Sequence, residues 1–270
     1  MQVFGIKIDK LKYNELFEKI IKLETQNIVF TPNPEILLKT IKDKEFENLI
    51  KQANYNTSDG IGLYIAYQII DNNYNKFINI LLLPYFFFNL FFRRKFLYEK
   101  YGERICGSDL TKDLVQYSEK NNIKITIIDL YNPTDSKKVE SQKMFSKLLK
   151  DKFKNLNFDY FIYEPSKKGE IIEYIKNSDS KIIFSTLGMK RQEESIIEIM
   201  QACKNIKIGL GIGSSFDYFI GFQKRAPKIW RSLGIEWLYR LLTGPRKIDR
   251  FKRLYNAIFV FIFYVIKYKK

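Results

Sequence analysis

Short runs rich in β-branched and aromatic residues recur along this chain, at QNIVF (26–30), IKITIID (123–129), FDYFIY (158–163), KIIFS (181–185) and IKIGLG (206–211). Helix-like stretches lie between them, near 34–44, 60–70, 108–120, 136–150, 167–177 and 190–203. Strands that alternate with helices build βαβ units. The expected fold class is therefore α/β, a Rossmann-like and mainly parallel sheet with helices on both faces. Sheets of this kind bind ligands at the carboxyl ends of their strands, so the residues that follow each run are the first candidates for a site.

Composition removes several chemistries. The 270 residues contain no histidine, which excludes a Ser-His-Asp triad, a His-ligated metal and a histidine base. Acid or base chemistry near neutral pH falls to a carboxylate. Cys106 and Cys203 are too few for a disulfide framework or an all-cysteine zinc site, and a reducing, cytoplasmic setting is expected. The opening MQVFGIKIDK has no apolar core of a cleaved signal. No Asp-x-Asp pair occurs, so neither a metal nor another cofactor is expected.

The formal charge of +16 calls for an anionic partner, and most of the excess is local. From Lys224 to Lys270 thirteen Lys or Arg face only Glu236 and Asp249, a net +11. The expected division is an α/β domain over 1–223, with an aromatic insertion at about 74–103, and a basic C-terminal appendage over 224–270. Two segments break the strand-helix rhythm: NILLLPYFFFNLFFRRKFLYEKY (79–101) and FKRLYNAIFVFIFYVIKYKK (251–270). The apolar run Leu254–Ile266 would be about 20 Å long as a helix, short of a bilayer crossing. Apolar aromatic bodies flanked by cations suit the headgroup region of an anionic membrane surface; burial as core helices is the alternative. Charge and aromatics also raise nucleic-acid binding, but the cations sit beside an apolar tail rather than along an aromatic-studded groove, and no nucleic-acid partner is expected.

Three motifs follow strands or open helices. In Thr31-Pro32-Asn33-Pro34-Glu35 the prolines hold Thr31 and Asn33 extended before a helix, so Asn33 reads as an N-cap, a substrate group, or both. In Ser58-Asp59-Gly60-Ile61-Gly62 the carboxylate is either a cap or the base for an acceptor hydroxyl. Gly209-Leu210-Gly211-Ile212-Gly213 departs from the dinucleotide fingerprint, its third glycine coming one residue early. It fits a turn that receives a different nucleotide's phosphate or base. Arg225, Arg231, Arg240, Arg246, Lys247 and Arg250 could hold a diphosphate or simply form a basic surface.

Taken in order, these motifs resemble the WecG/TagA/CpsF family of glycosyltransferases. Arg104-Ile105-Cys106-Gly107-Ser108-Asp109-Leu110, Gln192-Glu193, Phe216-Asp217, Arg225-Ala226-Pro227, Glu236-Trp237-Leu238-Tyr239-Arg240 and Pro245-Arg246 complete the set. The resemblance implies a metal-independent, inverting enzyme at the cytoplasmic face of the cell membrane, peripheral to it. It would move an N-acetylhexosamine-type sugar, such as N-acetylmannosamine or its uronic acid, from a UDP-sugar donor. The acceptor would be a polyprenyl-diphosphate-linked N-acetylglucosamine, in cell-wall or surface-polysaccharide synthesis. On matching positions Asp59 and Thr31 are expected to be catalytic, and Asn33, Gln192, Glu193, Asp109 and Arg104 to bind substrate. Gly209, Gly211, Gly213, Phe216 and Asp217 are expected to hold the nucleotide, and Arg225, Arg240, Arg246, Lys247 and Arg250 the diphosphate. The competing function is a non-catalytic basic module on anionic membranes. The family pattern has proline where this chain has Lys190, so the turn there is expected to differ. An arginine of the tail is replaced by Lys247, and about 40 residues separate Gly62 from Arg104, well beyond the short connection that the family pattern has.

Overall fold

Six parallel strands form the centre of the molecule in the order β4-β3-β8-β7-β5-β6. They are β3 (Asn27–Phe30), β4 (Tyr55–Asn56), β5 (Ile125–Leu130), β6 (Phe158–Tyr163), β7 (Ile182–Ser185) and β8 (Ile208–Gly211). A separate antiparallel hairpin joins β1 (Gln2–Val3) to β2 (Ile6–Lys7). The computed structural model describes residues 1–130, 136–213, 215–221, 225–227, 229–230, 236–243 and 247–269, without the side chains of 136–138, 141, 237, 240, 247, 249 and 250.

Because side chains alternate across a strand, the sheet feeds two cores. Val29, Ile127, Phe184 and Leu210 face one apolar cluster, whereas Phe30, Ile128 and Ile183 face the other. The first cluster is covered by α1 (Tyr13–Ile20), α8 (Gly107–Lys120), α9 (Ser136–Lys152) and α12 (Ser215–Phe219). The second lies under α2 (Pro34–Lys42), α3 (Lys44–Lys51), α4 (Gly62–Asp71) and α11 (Arg191–Ala202). α10 (Lys168–Lys176) adds Ile171 and Ile175 to it. The α/β expectation therefore holds, with every expected strand present.

Local chemistry sets the element ends near the site. Asn33 caps α2, its Oδ1 accepting from the Ile36 amide at 3.0 Å, with Pro34 at the first helical position. Asp43 ends α2 and caps α3 by accepting from the Phe46 amide at 2.9 Å.

The aromatic segment folds as α5 (Lys76–Leu81), α6 (Leu83–Phe92) and α7 (Arg94–Tyr101). The tail is helical over Glu236–Thr243 and Lys247–Tyr255, then π-helical over Asn256–Val260, then α-helical over Phe261–Tyr268. Among the described residues no helix is long and apolar enough to cross a membrane. The last helix is two-sided: Phe261, Ile262, Val265 and Ile266 enter the second core, while Phe263 and Tyr268 face outward. Four of the thirteen residues from Leu254 to Ile266 are thus core, where the last helix packs against α4.

Candidate active site

The loops that leave β3, β4 and β8 stand side by side at one edge of the sheet, since these strands are neighbours in the order β4-β3-β8. Strands lie about 4.8 Å apart, so the ends of β4 and β8 are separated by roughly 10 Å across β3. β4 is only two residues long, yet it delivers Asp59. Its loop is tied down on both sides: the Thr57 amide donates to Phe30 O at 2.9 Å, the Asp59 amide to Pro32 O at 3.3 Å and the Ile105 amide to Ser58 O at 3.0 Å.

Glycines let these segments touch. Gly60 has φ +105° and a side chain there would meet Pro34 at 3.2 Å. At Gly62 it would meet Pro34 at 3.1 Å and the Ala257 carbonyl at 3.2 Å. The π-helical turn of the tail therefore lies directly against the Asp59–Gly62 loop, and π-turns are frequent at functional sites. Thr31 stands on the other side, its Oγ1 3.0 Å from where a Gly107 side chain would begin. Asp59, Thr31, Asn33 and the amino end of α8 are thus gathered at neighbouring strand ends, where the first three are half-buried and would form one recess.

Arg104 supplies its positive charge. Burial works against the Arg104 cation, but Cys106, Asp59, Tyr98 and Glu236 around it outweigh that cost and hold it above the usual arginine range. Burial pushes the Cys106 thiol up, with Asp59 adding to it, so Cys106 is no thiolate nucleophile. Glu236 begins the tail helix Glu236–Thr243, which places the tail within electrostatic reach of Arg104. The sequence suggested no role for Glu236; its position beside a buried guanidinium is visible only in three dimensions. Arg225 reaches back to the amino end of α8, Nη2 donating to Ser108 Oγ at 2.8 Å and Asp109 Oδ1 at 2.7 Å. Asp109, expected to bind substrate, is in this structure the partner of an arginine expected to bind diphosphate.

The glycine motif divides its labour. A side chain at Gly209 would meet Met200 Sδ at 2.3 Å and Ile196 Cγ2 at 2.6 Å, so this glycine lets α11 pack on β8 and does not face a ligand. At Gly211 it would press on Gln192 at 3.0 Å. Only Gly213, with φ +52°, opens onto free space. Phe216, also expected at the nucleotide, is a core residue packed edge-on to Phe184 and Phe219, each at 5.6 Å. Asp217 is half-buried and lies close enough to Tyr160 for its charge to reach the phenol.

Gln192 and Glu193 are buried supports rather than walls of the recess. Gln192 Oε1 accepts from the Gly213 amide at 3.0 Å and its Nε2 donates to Glu193 Oε1 at 2.7 Å. Glu193 Oε2 accepts from the Lys190 amide at 2.7 Å, and burial raises the Glu193 carboxyl above its usual range. The turn before α11 does differ from a proline turn: Lys190 has φ +75°, which the ring of proline forbids. Its Nζ is held by Asp43 at 3.0 Å and Glu45 at 2.6 Å.

A polar knot that sequence reasoning did not single out ends β5. Buried Asp129 accepts from Tyr160 at 2.8 Å and Gln142 at 3.1 Å, and Thr186 also donates to it. It fastens β5, β6, α9 and the turn after β7 together. A hollow of about 500 Å³ beside Lys39, Gly188 and Lys190 opens at this same sheet edge, after β7. Another of about 780 Å³, beside Lys124 and Asp179, sits at the amino ends of β5 and β7, opposite Asp59. Arg231 and Arg246 lie outside the described residues, as do the side chains of Arg240, Lys247 and Arg250. Among the described residues no cluster of three or more carboxylates and cysteines could hold a metal ion.

A parallel α/β sheet with a carboxylate, a hydroxyl and a guanidinium near its strand ends carries its candidate groups where sheets of this kind bind ligands. The chain belongs to the glycosyl transferase WecG/TagA/CpsF family, whose family model matches residues 1–85 and 89–270. The match breaks only over 86–88, inside α6 of the aromatic segment. The protein is a glycosyltransferase.

Proposed function

We propose that the enzyme transfers an N-acetylhexosamine-type sugar from a UDP-sugar to an N-acetylglucosamine carried on a polyprenyl diphosphate, by a single displacement that inverts the anomeric centre. Asp59 accepts the proton of the acceptor hydroxyl as that oxygen attacks the anomeric carbon and UDP departs. An aspartate is ionised at neutral pH, and no histidine competes for the task. Thr31 and Asn33 line the acceptor side. Gly213, its amide held by Gln192, leaves open space for the donor at the end of β8.

Charge on the departing diphosphate is met by cations. Arg225 stands fixed at the amino end of α8, and Arg240, Arg246, Lys247 and Arg250 follow in the tail. The tail that carries these cations also touches the Asp59–Gly62 loop, through its π-turn at Gly62. The observation that carries this reading is the contact of the Asp59–Gly62 loop with Thr31–Pro34 at adjoining strand ends, inside a chain that matches the family almost throughout. UDP release measured across a panel of UDP-sugars, with a short-chain N-acetylglucosamine diphospholipid as acceptor, tests it. Release with an N-acetylmannosamine-type donor and dependence on the acceptor are expected; no acceptor-dependent release with any donor would overturn it.

A further inference from the structure

Helices α5 and α6 each bury an asparagine and leave large apolar side chains outside. In α5 the fully buried residue is Asn79, whose Nδ2 donates to Tyr74 O and Asn75 O at 2.9 Å, while Phe77 is 70% exposed and Leu81 64%. In α6 buried Asn89 donates to Gln68 Oε1 of α4 at 2.8 Å, and Gln68 donates in turn to Phe86 O at 3.2 Å. Phe88 and Phe92 of the same helix point outward as a ring pair 4.8 Å apart, and Phe92 is 75% exposed. A helix in water places its polar residues outside and its apolar ones inside. Here Asn79 and Asn89 turn inward, Asn89 beside buried Phe86 and Leu90, while Phe77, Leu81, Phe88 and Phe92 are left outside.

The C-terminal helix continues this surface. Lys269 Nζ donates to Asn72 O and Asn72 Oδ1 at 2.6 Å, stitching the end of the chain to the start of the aromatic segment. Phe259 and Phe263 are exposed on the tail, as Phe77 is on α5. α5 contacts both α6 and the C-terminal helix, so these exposed rings lie on neighbouring elements, and clustered apolar exposure marks an interaction surface.

Charge selects the occupant. From Asn72 to Tyr98 there is no acidic residue, and Lys76, Arg93, Arg94 and Lys95 lie within that stretch. From Phe251 to Lys270 there is again none, with Lys252, Arg253, Lys267, Lys269 and Lys270. A second copy of this chain would oppose like charge to like across a two-fold contact. An anionic lipid surface accepts both the rings and the cations. At ten residues α6 is about 15 Å long, half the hydrocarbon thickness, so it lies in the interface and does not span it.

We propose that α5, α6 and the outward face of the C-terminal helix form one docking platform for an anionic bilayer. α4 links this platform to the chemistry: it starts at the Asp59–Gly62 loop, holds α6 through Gln68 and packs against the C-terminal helix. Docking therefore presents the recess at the bilayer surface, where a lipid-linked acceptor resides, and that last step rests on the proposed function.

Co-sedimentation of the full chain with phosphatidylglycerol-containing vesicles, and with phosphatidylcholine vesicles alone, tests the platform. Binding to the anionic vesicles is expected, weakened about tenfold or more both by Phe77→Ser/Leu81→Ser/Phe92→Ser and by Arg93→Glu/Lys95→Glu. Each variant alters exposed side chains, so an unchanged thermal midpoint is the control for folding. Vesicle binding that ignores both variants would overturn the platform. So would a wild-type dimer in velocity sedimentation that the apolar variant dissociates while no vesicle binding occurs. A chain that binds vesicles but releases no UDP would keep the platform and remove the proposed activity.

Discussion

The strand-end recess and the aromatic surface are organised on opposite principles. Around Asp59 polar groups are held by backbone hydrogen bonds and by glycines that admit close contact, and the apolar side chains point away into two cores. Across α5 and α6 Asn79 and Asn89 point inward with Phe86 and Leu90, while Phe77, Phe88 and Phe92 point outward. One region holds a few charged groups in place; the other leaves aromatic rings uncovered, as the proposed docking requires. α4 and the tail belong to both, which makes the contrast testable.

The largest effect is expected from removing the tail. Truncation after Asp249 would delete the burial of Phe261, Ile262, Val265 and Ile266, each worth about 1.5–3 kcal/mol. Their sum rivals the roughly 5–15 kcal/mol net stability of a whole domain. The truncated chain is expected to lose its cooperative thermal transition, and a retained transition near the wild-type midpoint would show that the C-terminal helix is no part of the core. Truncation therefore cannot separate membrane docking from folding, whereas exposed substitutions can.

Asp59→Asn is expected next, with a loss of about 10²–10⁴-fold in turnover and an unchanged melting midpoint, measured by UDP release and circular dichroism. Near-normal turnover would take Asp59 out of the base role. Gly209→Ala separates packing from ligand contact within the glycine motif. It is expected to destabilise by about 1–3 kcal/mol, because the new methyl meets Met200 and Ile196. Donor affinity in the folded fraction should be retained, and titration of UDP checks it.

The smallest effect concerns the base of the aromatic segment. Lys100 Nζ meets Asp71 Oδ2 at 2.5 Å, and the Lys100 bond holds the Asp71 carboxyl below its usual range, against the effect of partial burial. Lys100 is raised in return by Asp71. The Asp71 contribution is present above its unfolded value of about 3.9 and lost as pH falls below it. The Lys100 contribution is complete below about 10.4 and lost above it. Both groups are partly exposed, so Asp71→Asn is expected to cost at most about 1 kcal/mol at pH 6. The difference in melting midpoint from wild type should shrink as pH falls below about 3.9 toward the lowered range of the folded carboxyl.

The contrast also explains what the sequence disclosed. β3 and β5 through β8 were legible because each is a run of apolar residues bounded by turn or charged residues. β4 was not, since two residues carry no periodicity, although its loop bears Asp59. Asp59 and the Thr31–Pro34 turn could be named as candidates from their motifs, and the structure brings them together. Gly209 and Phe216 could not be told from ligand contacts, because packing against Met200, Ile196 and Phe184 joins residues far apart in the chain. Composition marked 79–101 as apolar and basic; only the inward hydrogen bonds of Asn79 and Asn89 decide which side faces out.

Division of labour between the two regions is tested most directly by comparing UDP release on a water-soluble acceptor analogue and on the same acceptor group embedded in anionic vesicles. Asp59→Asn is expected to lose turnover on both, and Phe77→Ser/Leu81→Ser/Phe92→Ser on the embedded acceptor alone. Equal losses on both acceptors for the surface variant, or retained turnover of Asp59→Asn on either, would contradict it.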